Sequence, residues 1–301
     1  MSTLRQQARF ALNELGVRPQ KQFGQHFLIN PAVVTRMIDA AAVRPQDTVL
    51  EIGPGLGVLS DALAVRATQL YLVDVDTVLT ARLARRFAHN AQVKVVTADF
   101  LRLDINTAFP ESEIQVVASL PYNVATPILF RLLEHRSKFR TVTVMIQKEV
   151  AERLAATPGE KAYGVPSVLT QLYGTVTTVC TVDPHSFFPP PKVESQIIRV
   201  EFQVPPRVAI EDEGGFRCLV KAAFAQRRKT LRNALRAAGY ENLNEVSEKT
   251  GIDLQRRGET LSLQEFAILA SAFGRNQTPL TVKTDADMLL NISPMTFQNK
   301  H

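Results

Sequence analysis

Glu51-Ile52-Gly53-Pro54-Gly55-Leu56-Gly57 closes an apolar run and opens a helical pattern, so its glycines let the backbone turn tightly and approach a ligand closely. The spacing departs from the dehydrogenase fingerprint G-x-G-x-x-G, because Val58 stands where the third glycine belongs, and a nicotinamide cofactor is disfavoured. About twenty residues on, the next apolar run ends at Val73-Asp74-Val75-Asp76, where a carboxylate accepts hydrogen bonds from ribose hydroxyls. The run after it ends at Thr97-Ala98-Asp99, a position suited to accept from an adenine amino group. A single acid at a strand end is often only a solvated cap. Three successive strands that each end in a suitable feature call for an adenosine-containing ligand. With no phosphate-gripping lysine of the P-loop kind, the Glu-x-Gly-x-Gly form favours S-adenosylmethionine over a nucleoside triphosphate.

A fourth apolar run, Ile114 to Ala118, ends in Ser119-Leu120-Pro121-Tyr122. The exocyclic amine of adenine is a poor nucleophile, because its lone pair is delocalised into the ring. A site that alkylates it needs acceptors that hold its hydrogens and help the nitrogen toward tetrahedral geometry. Ser119 and the backbone carbonyl near Pro121 offer such acceptors, Pro121 stiffens the turn, and Tyr122 presents a flat face on which a base stacks. Taken alone, the same residues also read as a strand-ending turn with a packed tyrosine.

The elements that must position these residues follow from periodicity. Strands are predicted at 48–52, 70–73, 93–96, 115–118 and 141–146, with helical patterns near 31–42, 57–67, 77–88 and 125–135 between most of them. That alternation is the pattern of an α/β domain with a mainly parallel, helix-covered sheet, whose ligands bind beyond the carboxyl ends of the strands. After Phe202 the pattern changes. Pro205-Pro206 breaks the chain, and helices are predicted near 213–237, 241–250 and 262–273. The division expected is a basic arm over 1–20, the ligand-binding domain over 21–206, a small C-terminal helical domain over 207–275 and a polar tail over 276–301.

Composition is that of a globular protein: 301 residues, 45% hydrophobic and 21% charged, which disfavours disordered and fibrous classes. With 35 Lys+Arg against 29 Asp+Glu, the net charge of +6 modestly favours an anionic partner such as nucleic acid. Between Arg217 and Arg236 stand seven basic residues and no acid. Their heads reach phosphates in an RNA track, with Lys221, Arg227, Arg228, Lys229 and Arg232 the candidate RNA-binding residues, while Phe216, Phe224 and Leu231 pack the domain. The acid-free, arginine-containing segment from Ser2 to Asn13 reads as an amphipathic RNA-facing arm, and Arg5, Arg9, Arg18 and Lys21 extend the track. Cys180 and Cys218 resemble neither a disulfide framework nor a metal cluster, which suits structural thiols in a reducing cytoplasm, and no metal is expected. No apolar stretch approaches the roughly 18 residues of a membrane span, and no apolar signal core is seen at the N-terminus. Glu149, in Gln147-Lys148-Glu149, reads as structural, since an amine made more acidic by methylation needs no strong base.

Seven segments together carry a family resemblance: Lys21 to Leu28, the Glu51 to Gly57 loop, Leu120 to Asn123, Gln147 to Leu154, Lys161 to Gly164, Phe187 to Ser195, and Phe224 to Arg232. Over roughly residues 18–273 the sequence resembles the ribosomal small-subunit RNA adenine dimethyltransferases. The resemblance implies a Rossmann-like class I methyltransferase sheet with a small C-terminal helical domain, and transfer of methyl groups from S-adenosylmethionine to N6 of two adjacent adenines near the 3′ end of small-subunit rRNA. It further implies cofactor contacts from His26 and Leu28 in the Gln-x-Phe-Leu motif, from Gly53, Gly55, Asp74, Asp99 and Ser119, and catalytic positions at Ser119, Leu120, Pro121 and Tyr122. Phe187, opening the Phe-x-Pro-x-Pro-Lys-Val motif, becomes the second wall of a base sandwich with Tyr122, as suits a flipped or single-stranded base.

Three positions depart from the family pattern. Ser119 stands for its usual Asn, Asp74 for Glu and His26 for Asn. Aspartate keeps the carboxylate on a shorter reach, and serine replaces an amide with a hydroxyl that still accepts. The expected activity is rRNA adenine N6-dimethylation by a cytoplasmic monomer during small-subunit biogenesis. Two other readings stay open: a non-catalytic rRNA-binding assembly factor or transcription-factor-like relative of the same fold, and a resistance methyltransferase acting on large-subunit rRNA.

Overall fold

The structure, a computed structural model, describes residues 3–19 and 24–274; Lys21 and the tail from 276 lie outside the described residues. It forms two compact units, one comprising the chain through Ala155 with Tyr173–Pro205, the other comprising Ala156–Leu172 with the chain from Pro206.

The first unit holds strands β1 (Phe27–Leu28), β2 (Thr48–Ile52), β3 (Gln69–Asp74), β4 (Val93–Thr97), β5 (Ile114–Ser119), β6 (Phe139–Gln147), β7 (Gly174–Val182), β8 (Phe187–Phe188) and β9 (Ser195–Phe202). Seven of them form one sheet in the order β4-β3-β2-β5-β6-β9-β7. The first five run parallel, and β9 is antiparallel to both β6 and β7. Helices α1 (Leu4–Glu14), α2 (Pro31–Ala41), α3 (Val58–Ala64), α4 (Thr77–Arg86), α5 (Ile105–Ala108), α6 (Ala125–Glu134) and α7 (Lys148–Ala155) belong to the same unit.

The central strands are apolar on both faces because helices cover both faces. Leu50, Val116 and Val144 pack toward Ile128 and Leu132 of α6 on one side. Their strand neighbours Val49, Val117 and Met145 pack toward Met37 of α2 and Leu63 of α3 on the other. The chain leaves β2 toward β3 and β4 on one side and returns to β5 on the other. The crevice at that reversal, beyond the carboxyl ends of β2 and β5, is where such sheets take their ligands.

Four strands, β1, β7, β8 and β9, lie outside the five predicted from the sequence. β7, GTVTTVCTV, is an exposed edge strand rich in threonine, and its pairing with β9 is irregular between Thr178 and Cys180. The antiparallel β9 then places the segment preceding it, Phe187 to Glu194, back at the ligand end of the sheet.

The second unit holds α8 (Val165–Tyr173, whose last residue belongs to the first unit), α9 (Glu213–Ala225), α10 (Leu231–Ala237), α11 (Leu243–Thr250) and α12 (Leu263–Phe273). The helix expected over 213–237 is two helices. Thr230 caps α10 by accepting from the Asn233 amide, and Lys229 N–H returns to Gln226 O at 2.9 Å, so Arg227, Arg228 and Lys229 sit on a turn rather than on a helix face. Residues 156–172, assigned to the first domain by sequence, group with these helices. The reason lies in Tyr163, which is buried, packs edge-on against Phe224 at 5.8 Å and donates to Leu261 O at 3.0 Å. Among the described residues, no helix is long and apolar enough to cross a membrane.

Candidate active site

A cavity of about 320 Å³ opens at the carboxyl ends of β2, β3 and β5 in the first unit. Its floor is the glycine turn. Gly53, Gly55 and Gly57 have φ of +68°, +55° and +84°, and a Cβ on Gly57 would stand 2.7 Å from Leu83 Cδ2 in the buried core. Only glycine combines that backbone with that approach. Beneath the turn, Glu51 is 1% exposed. Burial pushes its carboxyl up to about 8, against the opposing hydrogen bond from Ser60 Oγ at 2.6 Å, which ties β2 to α3.

Asp74 ends β3 in the cavity wall. Its Oδ1 accepts from the Asp76 amide at 3.0 Å and its Oδ2 from the Gly55 amide at 3.4 Å, which aims the carboxylate. Burial raises its pKa, and those two amides work in the other direction. Gln25 donates to Asp76 at 2.9 Å and so anchors the segment before β1 to this wall. Asp99 also lines the cavity, with Oδ1 held by the Leu101 amide at 2.9 Å and Oδ2 3.6 Å from Arg102. A turn that excludes side chains, flanked by two oriented carboxylates at successive strand ends, fits S-adenosylmethionine.

Ser119 ends β5, paired with Met145 of β6, and lines the same cavity with Leu120, Pro121 and Tyr122. Leu120 is buried and its N–H donates to Met145 O at 3.1 Å. The Pro121 carbonyl accepts from the Val124 amide at 3.1 Å, which starts α6 and leaves a second lone pair for another donor. Tyr122 is fixed on two sides. Its hydroxyl meets Ser195 Oγ at 2.5 Å, and its ring stacks on His26 with centroids 5.7 Å apart. Burial raises the Tyr122 pKa, so the phenol stays neutral. His26 in turn uses Nδ1–H to donate to the Pro189 carbonyl at 2.7 Å.

Phe187 and Phe188 form β8, which pairs antiparallel with Phe27 and Leu28 of β1. That pairing brings Phe187 into the cavity wall with Tyr122, at 2% exposure. The cavity therefore gathers His26, Gly53, Gly55, Asp74, Asp99, Ser119, Leu120, Pro121, Tyr122 and Phe187 from the expected set. Leu28 is not among the lining residues; its side chain is buried in one apolar cluster with Val33, Met37 and its β8 partner Phe187. Two further residues matter that the sequence reading passed over. Gln25 sits inside the Gln-x-Phe-Leu motif, and Ser195 closes the Phe187 to Ser195 segment; motif membership was the available signal, but their hydrogen-bond partners lie 51 and 73 residues away.

In the second unit the basic residues divide. Arg227 donates to Lys161 O at 2.7 Å and to Glu259 Oε2 at 3.3 Å, and Arg232 donates to Asn244 at 2.6 Å. Arg228 and Lys229 are exposed on the turn, and Lys221 is half-buried on α9. Among the described residues no three His, Cys, Asp or Glu side chains gather to hold a metal, and both cysteines are free thiols.

The profile of the ribosomal RNA adenine dimethylase family matches residues 16–273. A ribosomal RNA small subunit methyltransferase A from Geobacter metallireducens is 46% identical over 264 residues, covering 85% of this chain and 96% of the relative. The protein of that name from Bacillus mycoides is 42% identical, covering 87% and 93%. Among solved structures, a dimethyladenosine transferase from Plasmodium falciparum superposes with a TM-score of 0.71 at 28% identity, over 81% of this chain and 96% of its own. The 23S rRNA methyltransferase ErmE superposes at 0.66 with 25% identity, over 82% and 99%. Likeness to the large-subunit enzyme is thus mainly one of fold, whereas the relatives named for the small subunit share over two fifths of their residues with the chain along nearly their whole length. The chain belongs to the ribosomal RNA adenine dimethylase family.

Proposed function

We propose that the protein transfers methyl groups to N6 of two adjacent adenosines near the 3′ end of small-subunit rRNA, giving N6,N6-dimethyladenosine during assembly of the small ribosomal subunit. The observation that carries this reading is one cavity holding both the Asp74 and Asp99 carboxylates and the Ser119-Leu120-Pro121-Tyr122 turn. The names of the Geobacter and Bacillus relatives support the small subunit as target.

S-adenosylmethionine, the methyl donor of this family, would supply an electrophilic methyl group for N6, its sulfur departing as a neutral thioether. Asp74 would accept from its ribose hydroxyls and Asp99 from its adenine amine, each carboxylate already aimed by backbone amides. The target adenine, taken out of its stack, lies between the aromatic faces of Tyr122 and Phe187. Ser119 Oγ and a turn carbonyl accept the hydrogens of its amine, which concentrates the nitrogen lone pair toward the incoming methyl. The proton of the methylated, more acidic nitrogen leaves to solvent, and Glu149, which pairs with Arg153 at 2.9 Å, takes no part. Arg228 and Lys229 contact RNA phosphates, while Nη2 of the likewise exposed Arg227 ties their turn to Lys161 and Glu259. A reducing cytoplasm suits the two free thiols.

The test is incubation with methyl-labelled S-adenosylmethionine and small subunits lacking the adenine methyl marks, followed by identification of the modified nucleoside. N6,N6-dimethyladenosine at adjacent positions is the expected product. Binding without label, with label restored by Ser119→Asn, would instead make the protein an assembly factor whose catalytic turn has lapsed.

A further inference from the structure

Helix α4 carries two arginines one turn apart, Arg82 and Arg86, and both reach the same backbone atom. Their Nη1 atoms donate to the Leu56 carbonyl at 3.1 and 3.3 Å. Like charges at this spacing disfavour a helix, so α4 itself gives no reason for the pair. Leu56 is buried between Gly55 and Gly57, both left-handed, at the centre of the glycine turn. Its carbonyl has two lone pairs, and the two guanidiniums supply a donor for each. The N–H of the same peptide unit, that of Gly57, donates to Pro54 O at 2.9 Å, so the peptide is held from both edges. One residue back, the Gly55 amide is the donor that meets Asp74 Oδ2 at 3.4 Å. Carboxylates hold the guanidiniums in turn: Arg86 Nη2 pairs with Asp61 of α3, and Glu14 of α1 lies within electrostatic reach of Arg82. Neither arginine lines the cavity.

We propose that Arg82 and Arg86 are positioning residues for the cofactor: from outside the cavity they fix the Leu56 carbonyl, and through it the Gly55 amide and the aim of Asp74 at the cofactor's ribose. The inference rests on the ribose role given to Asp74 above and adds two residues to it. Charged donors make the stronger hydrogen bonds, and a turn of glycines has no side chains of its own to hold its shape, so the restraint comes from the neighbouring helix. Loss of the guanidiniums frees the Leu56–Gly57 peptide to rotate, and the Gly55 amide then leaves Asp74 unaimed before any ligand arrives.

The experiment uses the full chain and two ligands, S-adenosylhomocysteine and its 2′,3′-dideoxy analogue, with binding measured by calorimetry and folding by thermal melting. The pair Arg82→Gln/Arg86→Gln is expected to raise Kd for S-adenosylhomocysteine roughly ten-fold and to leave Kd for the dideoxy analogue unchanged. In methyl transfer the same pair raises KM for S-adenosylmethionine at unchanged kcat. Arg82→Lys/Arg86→Lys, which keeps two cationic donors, is expected to restore most of the affinity. Asp61→Asn removes the ion pair but leaves both guanidiniums on the carbonyl, so it lowers the melting temperature without changing either Kd. An unchanged Kd in the glutamine pair overturns the proposal. So does an equal rise for the two ligands, or a rise in Asp61→Asn as large as in the glutamine pair, since either makes the arginines part of the general scaffold. Should the glutamine pair fail to fold, Arg82→Gln alone decides by the same comparison of ligands. If the unaltered chain binds both ligands alike, the ribose role of Asp74 fails, and this route with it. Absence of methyl transfer to RNA bears on the enzymatic reading alone, because the deciding measurements are of ligand binding.

Discussion

The hydroxyl of Tyr122, on the turn after β5, meets Oγ of the fully buried Ser195 at the start of β9, 2.5 Å away and 73 residues later in the chain. It fixes the ring proposed to carry the target base to a rigid strand of the sheet. Ser195→Ala leaves that hydroxyl without its partner, at a cost of about 1–2 kcal/mol. The expected result is a fall in kcat of roughly ten-fold at unchanged cofactor affinity. Tyr122→Phe gives a similar loss, and the double variant falls no further than either one, because both remove the same interaction; a double-mutant cycle on kcat checks this.

Ser119→Ala removes the proposed acceptor without altering the strand that ends there. Transfer is expected to fall about 100-fold, with cofactor Kd unchanged. Ser119→Asn, which restores an amide acceptor, is expected to equal or exceed the natural rate in the same labelled-methyl assay.

Gly57→Ala forces a side chain into a left-handed backbone and against Leu83. The strain is about 1–3 kcal/mol, read as a lowered melting temperature, and the displaced turn weakens cofactor binding in calorimetry.

Glu51 keeps its proton in the folded chain up to about pH 8, whereas its ordinary value is near 4.5. As pH rises through that window the unfolded chain releases the proton first, so unfolding becomes easier by about 1.4 kcal/mol per unit of separation, a loss absent below the window and complete above it. Glu51→Gln is expected to flatten this decline in urea titrations between pH 5 and pH 8.

Arg228→Gln and Lys229→Gln are expected to lower the salt dependence of RNA binding by roughly 0.7–0.9 each, with no change in melting temperature. Arg227→Ala does the reverse: it releases Lys161 and Glu259 and destabilises the second unit, which thermal unfolding detects.

Much of this molecule is written locally. The parallel core strands are short buried apolar runs, the helices between them carry their own periodicity, and the chemistry at the strand ends follows from glycine conformation and carboxylate placement within a few residues. For that reason Gly53, Asp74, Asp99 and Ser119 were legible as one site from the sequence, and the resemblance to a family extended it to Phe187. What depends on contacts between distant segments was not legible. Tyr122 needed Ser195, and His26 needed the Pro189 carbonyl. Arg227 read as one of a row of RNA cations, yet its carbonyl and carboxylate partners lie 66 and 32 residues away in the chain. A basic run states how much charge is present; which of its donors also hold the fold, as Nη2 of Arg227 does, is decided by the packing of segments far apart in sequence.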